Sequence, residues 1–504
     1  MAGSTHRSLL MLGLCHCLCR LRVAAWSHPP VPPRGSCGHG QQLRSRASSA
    51  LQFSSAEAAA AVGGGNPATG DAEMAKRVAE ALSARDSPPS CAVIGGGFSG
   101  LATAFHLASF GASVTLYDPS ECGTGGASSV AAGLIHPLTP RGKVIWKGSE
   151  GYAAAKELLG EALRQKDAER AGAGAGENGG GGGGGGSGGG GCVSSYRIVR
   201  PLMDETQRDQ YWKSAEEIPE WVTFLTTEEL LELAPGSAPS ALGGALIRGA
   251  LAVDTPSYMR GLWLACQAAA ERSGARSCSV GCVYGGDVWL GGRPCSTSST
   301  LCQWIREKVA DVHQLAASGQ YQAVVVAAGA GVKSVPGLKD IDGLRLRVLD
   351  SAVLCGQYVV PSGGGGVVGE TLICGATQEH ILFGKVDKAP NMASASRSLV
   401  PKVENFFPGL RGLRPIGVTA GVRVIRDRGK WGRIPVAGRL PLQKNRGGGS
   451  GGWVLAALGA RGLIHHAYLG RLVAACALVD DDAFLPPEVV APLEDLGRET
   501  TGDL

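Results

Sequence analysis

Acidic side chains are missing from the first 56 positions of this 504-residue sequence, and so is lysine. The same segment carries six arginines, so it contributes +6 to a formal net charge of +5 and leaves −1 for the rest of the chain. A body so close to neutrality lacks the net basic charge that supports extensive contacts with nucleic-acid phosphates. Only local basic patches, such as 423–433, could anchor a nucleic acid.

The acid-free segment is itself informative. Arginine and serine without acidic residues, followed by an alanine- and glycine-rich spacer, are typical of an organelle transit peptide. We predict that residues 1–70 are such a peptide with its spacer, and we favour the plastid over the mitochondrion. The run LLMLGLCHCLC also resembles the apolar core of a secretory signal, although Arg20 and Arg22 close behind it count against that interpretation. As a third alternative, the segment is an uncleaved tail of a cytoplasmic protein.

None of the fifteen cysteines forms a C-x-x-C pair. Cys15, Cys17 and Cys19 cluster in the leader and the others are scattered, so we expect reduced thiols and not a disulfide framework. The leader motif C-x-C-x-C with His16 has metal-binding chemistry, but its position in a leader argues against a metal site. We predict no metal site in this chain.

The stretch CAVIGGGFSGLATAFHLASFGASVTLYDPS, from Cys91 to Ser120, lacks any charged residue before Asp118. Its length alone would allow a membrane span. The pattern favours another interpretation, because a short apolar run leads into a G-x-G-x-x-G turn, a helix-forming segment and a second strand that ends at Asp118. The sequence therefore predicts a dinucleotide-binding turn and no membrane span.

Each part of this motif has a physical role. Gly95 allows the tight turn, Gly97 lets the backbone approach a pyrophosphate, and Gly100 lets the helix pack closely on the strand. The helix N-terminus offers N–H groups and the positive end of its dipole to the phosphates. Asp118 lies at the spacing where a carboxylate accepts hydrogen bonds from ribose hydroxyls.

Three further stretches extend the pattern: GGASSVAAGLIHPLTP (125–140), YQAVVVAAGAG (321–331) and GWVLAALGARGLIHHAYLGRLVAACAL (452–478). The second is typical of a buried parallel strand, and the third reads as a strand, a glycine turn and a helix. A nucleotide domain assembled from such separated pieces favours FAD over NAD, whose module is usually contiguous. The glycine-rich run 172–191 interrupts the pattern, and we predict that it is a disordered insert.

These stretches resemble the FAD-dependent oxidoreductases of the D-amino-acid oxidase and glycine oxidase family. More narrowly, they resemble the oxidase half of the bifunctional bacterial enzyme that completes 5-methylaminomethyl-2-thiouridine in tRNA. The similarity covers about residues 90–480 and includes VIGGGFSGLATAFHLASFGASVTLYD, GASSVAAGLIHPLTP, LGARGL and GVRVIRDRGKWGRIPVAG. It implies an enzyme of the α/β class at 88–480, with the active site between two interleaved domains. A Rossmann-like FAD domain with a parallel sheet would comprise about 88–170, 250–340 and 452–480, and a mixed-sheet substrate domain about 195–249 and 345–450.

The resemblance also implies roles for individual residues. The expected FAD-binding set is Gly95, Gly96, Gly97, Phe98, Ser99, Gly100, Asp118, Ala127, Ser128, Ser129, Ala132, Gly133, Leu134, Gly329, Gly459, Gly462, Leu463 and Ile464. Within it, the segment from Gly459 would place a helix N-terminus at the pyrimidine end of the flavin. The family covalently attaches FAD in some amine dehydrogenases through a histidine where this chain has Val130, so we expect non-covalent FAD.

Two arginines are the expected catalytic residues. Arg423 matches the family arginine that holds the substrate carboxylate in a bidentate pair, and Arg461 lies beside the flavin. From residue type alone, Arg423 could equally be a surface residue in an arginine-rich segment. Two histidines, His136 after the AAGLI segment and His465 after the GARGLI segment, could each face the flavin pocket or be packed away from it.

Three functions follow as hypotheses. The first is oxidation of a small amino acid or secondary amine, with dioxygen or another electron acceptor. The second is oxidation of a carboxymethylaminomethyl-type modification on organelle tRNA, which the neutral body does not favour. The third is a flavoprotein without catalytic activity.

Overall fold

The computed structural model describes residues 14–24, 67–174, 192–273, 289–290, 293–294, 302–334, 344–345, 357–362, 371–376, 379–382, 391–412, 414–426, 433–440 and 451–490. Most of the glycine-rich insert, 175–191, lies outside the described residues, as does most of the leader, so the prediction of a disordered insert stays a prediction.

The strands in chain order are β1 (Leu14–Ala24), β2 (Ser90–Ile94), β3 (Ser113–Tyr117), β4 (Leu134–Ile135), β5 (Val193–Ser195), β6 (Ile198–Pro201), β7 (Val222–Leu225), β8 (Gly244–Ile247), β9 (Leu251–Val253), β10 (Trp289–Leu290), β11 (Arg293–Pro294), β12 (Cys302–Ile305), β13 (Ala323–Val326), β14 (Leu344–Arg345), β15 (Tyr358–Ser362), β16 (Thr371–Gly375), β17 (Glu379–Leu382), β18 (Pro415–Val422), β19 (Ile425–Arg426), β20 (Val436–Leu440) and β21 (Gly451–Ala456).

The helices are α1 (Pro67–Ser83), α2 (Phe98–Ser109), α3 (Gly126–Ser129), α4 (Gly148–Gly174), α5 (Glu205–Glu217), α6 (Thr227–Leu233), α7 (Thr255–Arg272), α8 (Val312–Ala317), α9 (Met392–Phe406) and α10 (Gly462–Val479). Local sequence explains several starts. Thr226 caps α6 in a capping box with Glu229, and Asp254 caps α7 by accepting from the amide of Ser257 at 3.0 Å.

A six-stranded sheet carries the glycine-rich turn, in the order β12-β3-β2-β13-β21-β20. The first five strands are parallel, and β20 is antiparallel to β21 at the edge. Central strand β13 reads AVVV and is buried at every position, as expected for a parallel strand covered on both faces. Strands β2 and β13, more than 200 residues apart in sequence, thus pair side by side, as the dispersed motifs predicted.

The sequence predicts a mixed sheet in the substrate domain, whereas the described pairings of the second sheet are antiparallel. Strand β1 pairs with β16, β17 and β18, and β15 pairs with β16, and all these pairings are antiparallel. The mixture of parallel and antiparallel strands lies instead in the six-stranded sheet. Strand β20 was assigned to the substrate part, and that assignment is wrong, because its register against β21 pairs Val436 with Ala456.

Two N-terminal elements lie before the expected start of the enzyme at residue 88. Strand β1 falls in the predicted leader, yet it belongs to the second sheet. Helix α1 packs on α10 and buries Met74 and Val78, and Arg77 pairs with Asp481 at 2.7 Å. Sequence analysis missed this helix. The part of the chain that packs on α10 therefore begins at residue 67 and not at residue 88.

Helix α10 is the central apolar helix. Together with the turn before it, at Gly459–Val479, it has the length and apolar composition of a membrane-spanning helix, but 78% of that window is buried inside the protein. It packs against α2 and α4, with small residues such as Gly470 against Ala102. Burial of this kind is typical of a core helix, and this accounts for its hydropathy.

Candidate functional site

The glycine-rich turn joins β2 to α2 by a close contact of the backbone with itself. Gly95 has φ +106°, a conformation that only glycine adopts without strain, and its amide donates to the Tyr117 carbonyl at 2.8 Å. A Cβ atom at Gly100 would overlap the carbonyl oxygen of Gly95. These two positions therefore have the roles predicted for them, a tight turn and close packing of helix on strand.

Asp118 organises the same turn from the end of β3. Its Oδ2 accepts from the amide of Gly96 at 2.7 Å, and its Oδ1 accepts from the amide of Ser120 at 2.7 Å. Because each carboxylate oxygen has two lone pairs, both oxygens can still accept from a ribose hydroxyl. The carboxylate is thus held in place by backbone amides at the edge of the cavity described next.

A cavity of about 1290 Å³ opens at the carboxyl ends of the parallel strands. This is the place where nucleotides bind in open parallel sheets. Of the twenty residues expected to bind FAD or act in catalysis, Gly96 and Gly100 do not line the cavity. The eighteen that do are Gly95, Gly97, Phe98, Ser99, Asp118, Ala127, Ser128, Ser129, Ala132, Gly133, Leu134, Gly329, Arg423, Gly459, Arg461, Gly462, Leu463 and Ile464.

The loop 125–134 forms one wall. The Ser128 Oγ accepts from the amide of Phe98 at 3.1 Å, which ties the loop to the first turn of α2. The Ser129 hydroxyl donates to the carbonyls of Thr124 and Gly126, so it supports the loop rather than facing a phosphate as expected. Gly133, with φ +83°, lies so close to the carbonyl of Val253 that a Cβ atom would overlap it.

Two helix N-termini point their amide ends at the cavity. Neither α2 nor α10 has a side-chain cap, and the residues at both starts line the cavity. Uncapped N-termini leave N–H groups for an anionic or polar ligand and place the positive end of the helix dipole there. With the glycine turn and Asp118, they fit a dinucleotide with its pyrophosphate over the first turn of α2.

Arg423 lies in the short segment between β18 and β19 and is 8% exposed. It lines the cavity with Gly421 and Val422 of β18 and with Arg461 before α10. The alternative of a surface arginine is wrong, because the side chain is buried at the cavity wall. Burial lowers the pKa of the Arg461 guanidinium below its usual value, although both arginines stay charged at any physiological pH.

Sequence reasoning missed two cavity residues, Arg200 and Tyr211, and of its two alternatives for His136 the structure supports the one that faces the cavity. Arg200 on β6 is 7% exposed, and its guanidinium lies 5.2 Å from the centre of the Tyr211 ring. His136 lies in the loop after β4, where burial and the positive charges of Arg200 and Arg461 lower its pKa to about 4. No local motif marks Arg200, since only the pairing of β6 with β8 brings it to the cavity.

The histidines of α10 point elsewhere. His466 Nε2 is 2.7 Å from the Tyr258 hydroxyl, and the His465 ring packs 5.6 Å from Trp146. Neither is among the cavity residues, so the prediction of His465 near the flavin is not supported by its position. Within the described ranges, no three His, Cys, Asp or Glu side chains are grouped as metal ligands.

Seven cysteines are free thiols: Cys91, Cys122, Cys192, Cys266, Cys302, Cys374 and Cys476. Cys266 and Cys302 come closest, with their sulfur atoms 3.1 Å apart between α7 and β12. Both are buried under the six-stranded sheet, and burial raises the pKa of the Cys266 thiol well above its usual value. They pack as small apolar groups.

These features define an oxidoreductase-type dinucleotide site in a parallel sheet. Residues 90–476 match the family model of the DAO type, described as FAD dependent oxidoreductase. The chain therefore belongs to this family of FAD-dependent oxidoreductases, and it is an enzyme that uses FAD. No curated protein sequence matches the chain.

Solved structures agree with the fold. Glycine oxidase from Geobacillus kaustophilus is 20% identical, with a TM-score of 0.53 over 80% of this chain and 98% of that one. A variant of NikD, an unusual amino acid oxidase essential for nikkomycin biosynthesis, is 14% identical, with a TM-score of 0.50 over 80% of this chain and 97% of that one. At such identities the likeness concerns the fold.

The position of Gly97 generates a prediction for cofactor binding. A Cβ atom there would lie 3.0 Å from Ser128 Oγ and would stand where the pyrophosphate approaches the backbone. We expect Gly97→Val to purify without flavin colour or to fail to fold. Gly70→Val is the control, because nothing lies within 4 Å of the corresponding Cβ. A yellow Gly97→Val protein with normal flavin content per chain would contradict this placement of the cofactor.

The lowered pKa of His136 predicts a pH-dependent stability. Between the ordinary histidine pKa near 6.5 and the folded value of about 4, the unfolded chain binds a proton that the folded chain refuses. Stability must therefore fall as the pH falls through this window, by about 1 kcal/mol from pH 7 to pH 5.5 for this group. For His136→Asn we therefore expect the free energy of unfolding to fall by about 1 kcal/mol less than in the wild type between pH 7 and pH 5.5. An unchanged slope in urea titrations would show that His136 is not buried in its neutral form.

Proposed function

We propose that the enzyme oxidises the C–N bond of a small amino acid or secondary amine that carries a carboxylate. The observation that carries this proposal is the buried Arg423, which lines the same cavity as the glycine-rich turn in a chain of an FAD-dependent family. FAD, when bound, supplies the acceptor for a hydride from the carbon beside the amine. Dioxygen or another acceptor would then take up the electrons.

The chain's own contribution is binding and orientation. An arginine can hold a carboxylate through two parallel hydrogen bonds, which fixes both the position and the rotation of the substrate. A substrate held in this way is already oriented toward the flavin, which lowers the entropic part of the reaction barrier. Residues at the start of α10 would hold the flavin ring, so the substrate lies between Arg423 and the helix N-terminus.

The direct test is a panel of compounds mixed with the purified enzyme without oxygen. Amino acids, N-methyl amino acids, N-carboxymethyl amines and amines without a carboxylate are each added while the flavin absorbance is followed. We expect loss of the absorbance with a subset of the carboxylate-bearing amines. A flavin that is bleached by dithionite but by none of the panel would contradict the proposal and favour a non-catalytic flavoprotein.

Arg423 variants test the carboxylate contact itself. Arg423→Lys keeps the charge but loses the planar fork, and we expect flavin reduction to slow by roughly tenfold to a thousandfold, or about 1.5–4 kcal/mol. Arg423→Ala should be slower still, whereas FAD content stays normal. Arg411→Lys, at an exposed site, is the matched control. Wild-type rates in Arg423→Ala with a carboxylate substrate would refute the assignment and direct attention to Arg461.

A tRNA substrate is the alternative that the resemblance suggests. Its support is limited to local charge, since Lys308 and Arg433 are exposed residues that line the cavity. A gel shift with total tRNA separates the two proposals. Binding that weakens steeply with salt, together with flavin reduction by the modified nucleoside, would favour tRNA.

We further propose that the protein is imported into an organelle, with the plastid favoured. The support is the acid-free, arginine-bearing leader. Since helix α1 packs on α10 from residue 67 onward, we expect processing before that helix, and the cut would also remove β1, which pairs with β16, β17 and β18 in the uncleaved chain. A fusion of residues 1–66 to a fluorescent protein should enter the organelle, and N-terminal sequencing should place the mature start ahead of residue 67. A cytosolic fusion would contradict the proposal, and so would one that enters the secretory pathway.

A further inference from the structure

Arg200 presents a charge in the cavity that the proposed reaction does not use. It lies on β6, three residues after the exposed Arg197, and only 7% of it is exposed. It lines the same cavity as Arg423 and Arg461. The Tyr211 ring beside it donates its hydroxyl to the Pro140 carbonyl at 3.4 Å, so Arg200 lies next to the loop after β4 that also carries His136.

The neighbours of Arg200 do not balance its charge. Its Nε atom is buried and has no hydrogen-bond partner in the part of the chain that the structure describes. No described carboxylate lies within ion-pair distance of the guanidinium, and the Tyr211 ring 5.2 Å away offers only a cation–π contact. A buried guanidinium with an unsatisfied Nε donor and no carboxylate beside it is costly, so a site of this kind is completed by an anion.

The acidic residues that line the cavity do not balance the charge of Arg200, because they lie at other parts of its wall. Among the described lining residues, only Asp118 and Glu307 are acidic. Asp118 is held by the amides of Gly96 and Ser120 at the glycine turn, and Glu307 is exposed just beyond β12. Both follow neighbouring strands of the six-stranded sheet, whereas Arg200 comes from a separate three-stranded sheet, β6-β8-β7.

The pyrophosphate of FAD would not balance the charge of Arg200 either, because its site is at the glycine turn. The glycine turn and the first turn of α2 form its site, with the wall of loop 125–134 beside them. The cavity therefore presents two further arginines, Arg200 and Arg461, to a substrate whose one carboxylate Arg423 would already hold.

We infer that Arg200 binds a second carboxylate of the substrate, so that the enzyme selects a dicarboxylic amine, such as an N-carboxymethyl amino acid or an acidic amino acid. This inference rests on the proposed amine oxidation, and it narrows the substrate class. Arg200 is then a specificity-determining residue, and Tyr211 positions its guanidinium by stacking. The hydride leaves the carbon beside the amine as before, and the second carboxylate takes no part in the redox step.

Two probes that differ by one carboxylate test the assignment: N-carboxymethylglycine and N-methylglycine. Their dissociation constants are taken from the concentration dependence of anaerobic flavin reduction, and their binding is checked separately by the rise in melting temperature. The wild-type holoenzyme should bind N-carboxymethylglycine at least tenfold more tightly. Arg200→Gln should remove this preference, while Arg200→Lys should keep part of it. Arg197→Gln, at an exposed position on the same approach to β6, is the control.

The possible failures are distinguishable. If neither probe bleaches the flavin, the proposed amine oxidation is wrong for these substrates. If both probes act equally on the wild type, or if Arg200→Gln keeps the tenfold preference, only the second carboxylate site is wrong. If Arg200→Gln retains its fold but loses FAD, Arg200 binds the cofactor, and the inference is overturned. Arg200→Lys guards against a simple folding defect, because it keeps a charged group in the same place.

Discussion

The contact between Gly100 and the carbonyl oxygen of Gly95 is the constraint on which the rest of the site depends. Because neither residue has a side chain, α2 begins directly against the end of β2 and directs its first amides over the sheet. Asp118 and Ser128 then bond to amides of this turn and fix the two walls beside it. A larger residue at either glycine would lift the helix from the strand and open the phosphate site.

Charged residues of both signs line the cavity, and the two signs suit different ligands. Asp118 beside the glycine turn suits ribose hydroxyls, while arginines from β6, the β18–β19 segment and the turn before α10 also line the cavity. The three arginines come from three different parts of the chain, so they line one cavity only when the six-stranded sheet, the sheet with β18 and the sheet β6-β8-β7 are assembled. In the proposed reaction, the glycine turn holds the cofactor and the arginines hold the carboxylates of the amine.

Local spacing made the cofactor half of the site predictable. Gly95, Gly97, Gly100 and Asp118 carry their roles in sequence, because a turn, a helix start and a strand end follow one another within thirty residues. Arg423 and Arg461 were found only through resemblance to a family. Their burial depends on contacts with distant elements, which no local pattern encodes.

The errors have physical causes of the same kind. Arg200 was missed because a cation in a short strand reads as an exposed residue until the pairing with β8 buries it. Strand β20 was assigned to the wrong part because its length of five residues gives no hint of which sheet edge it joins. Helix α1 was missed because its weak signal stands next to a leader, and only packing on α10 shows it to be part of the fold.

The central prediction is that this cavity holds one FAD per chain without a covalent bond, since Val130 stands where the resemblance places the linking histidine of some amine dehydrogenases. Acid precipitation of the purified enzyme, followed by chromatography of the supernatant, measures this directly. The expected result is a colourless pellet and close to one equivalent of FAD in solution. Flavin retained in the pellet would contradict non-covalent binding, and a supernatant with another nucleotide in place of FAD would contradict the cofactor assignment.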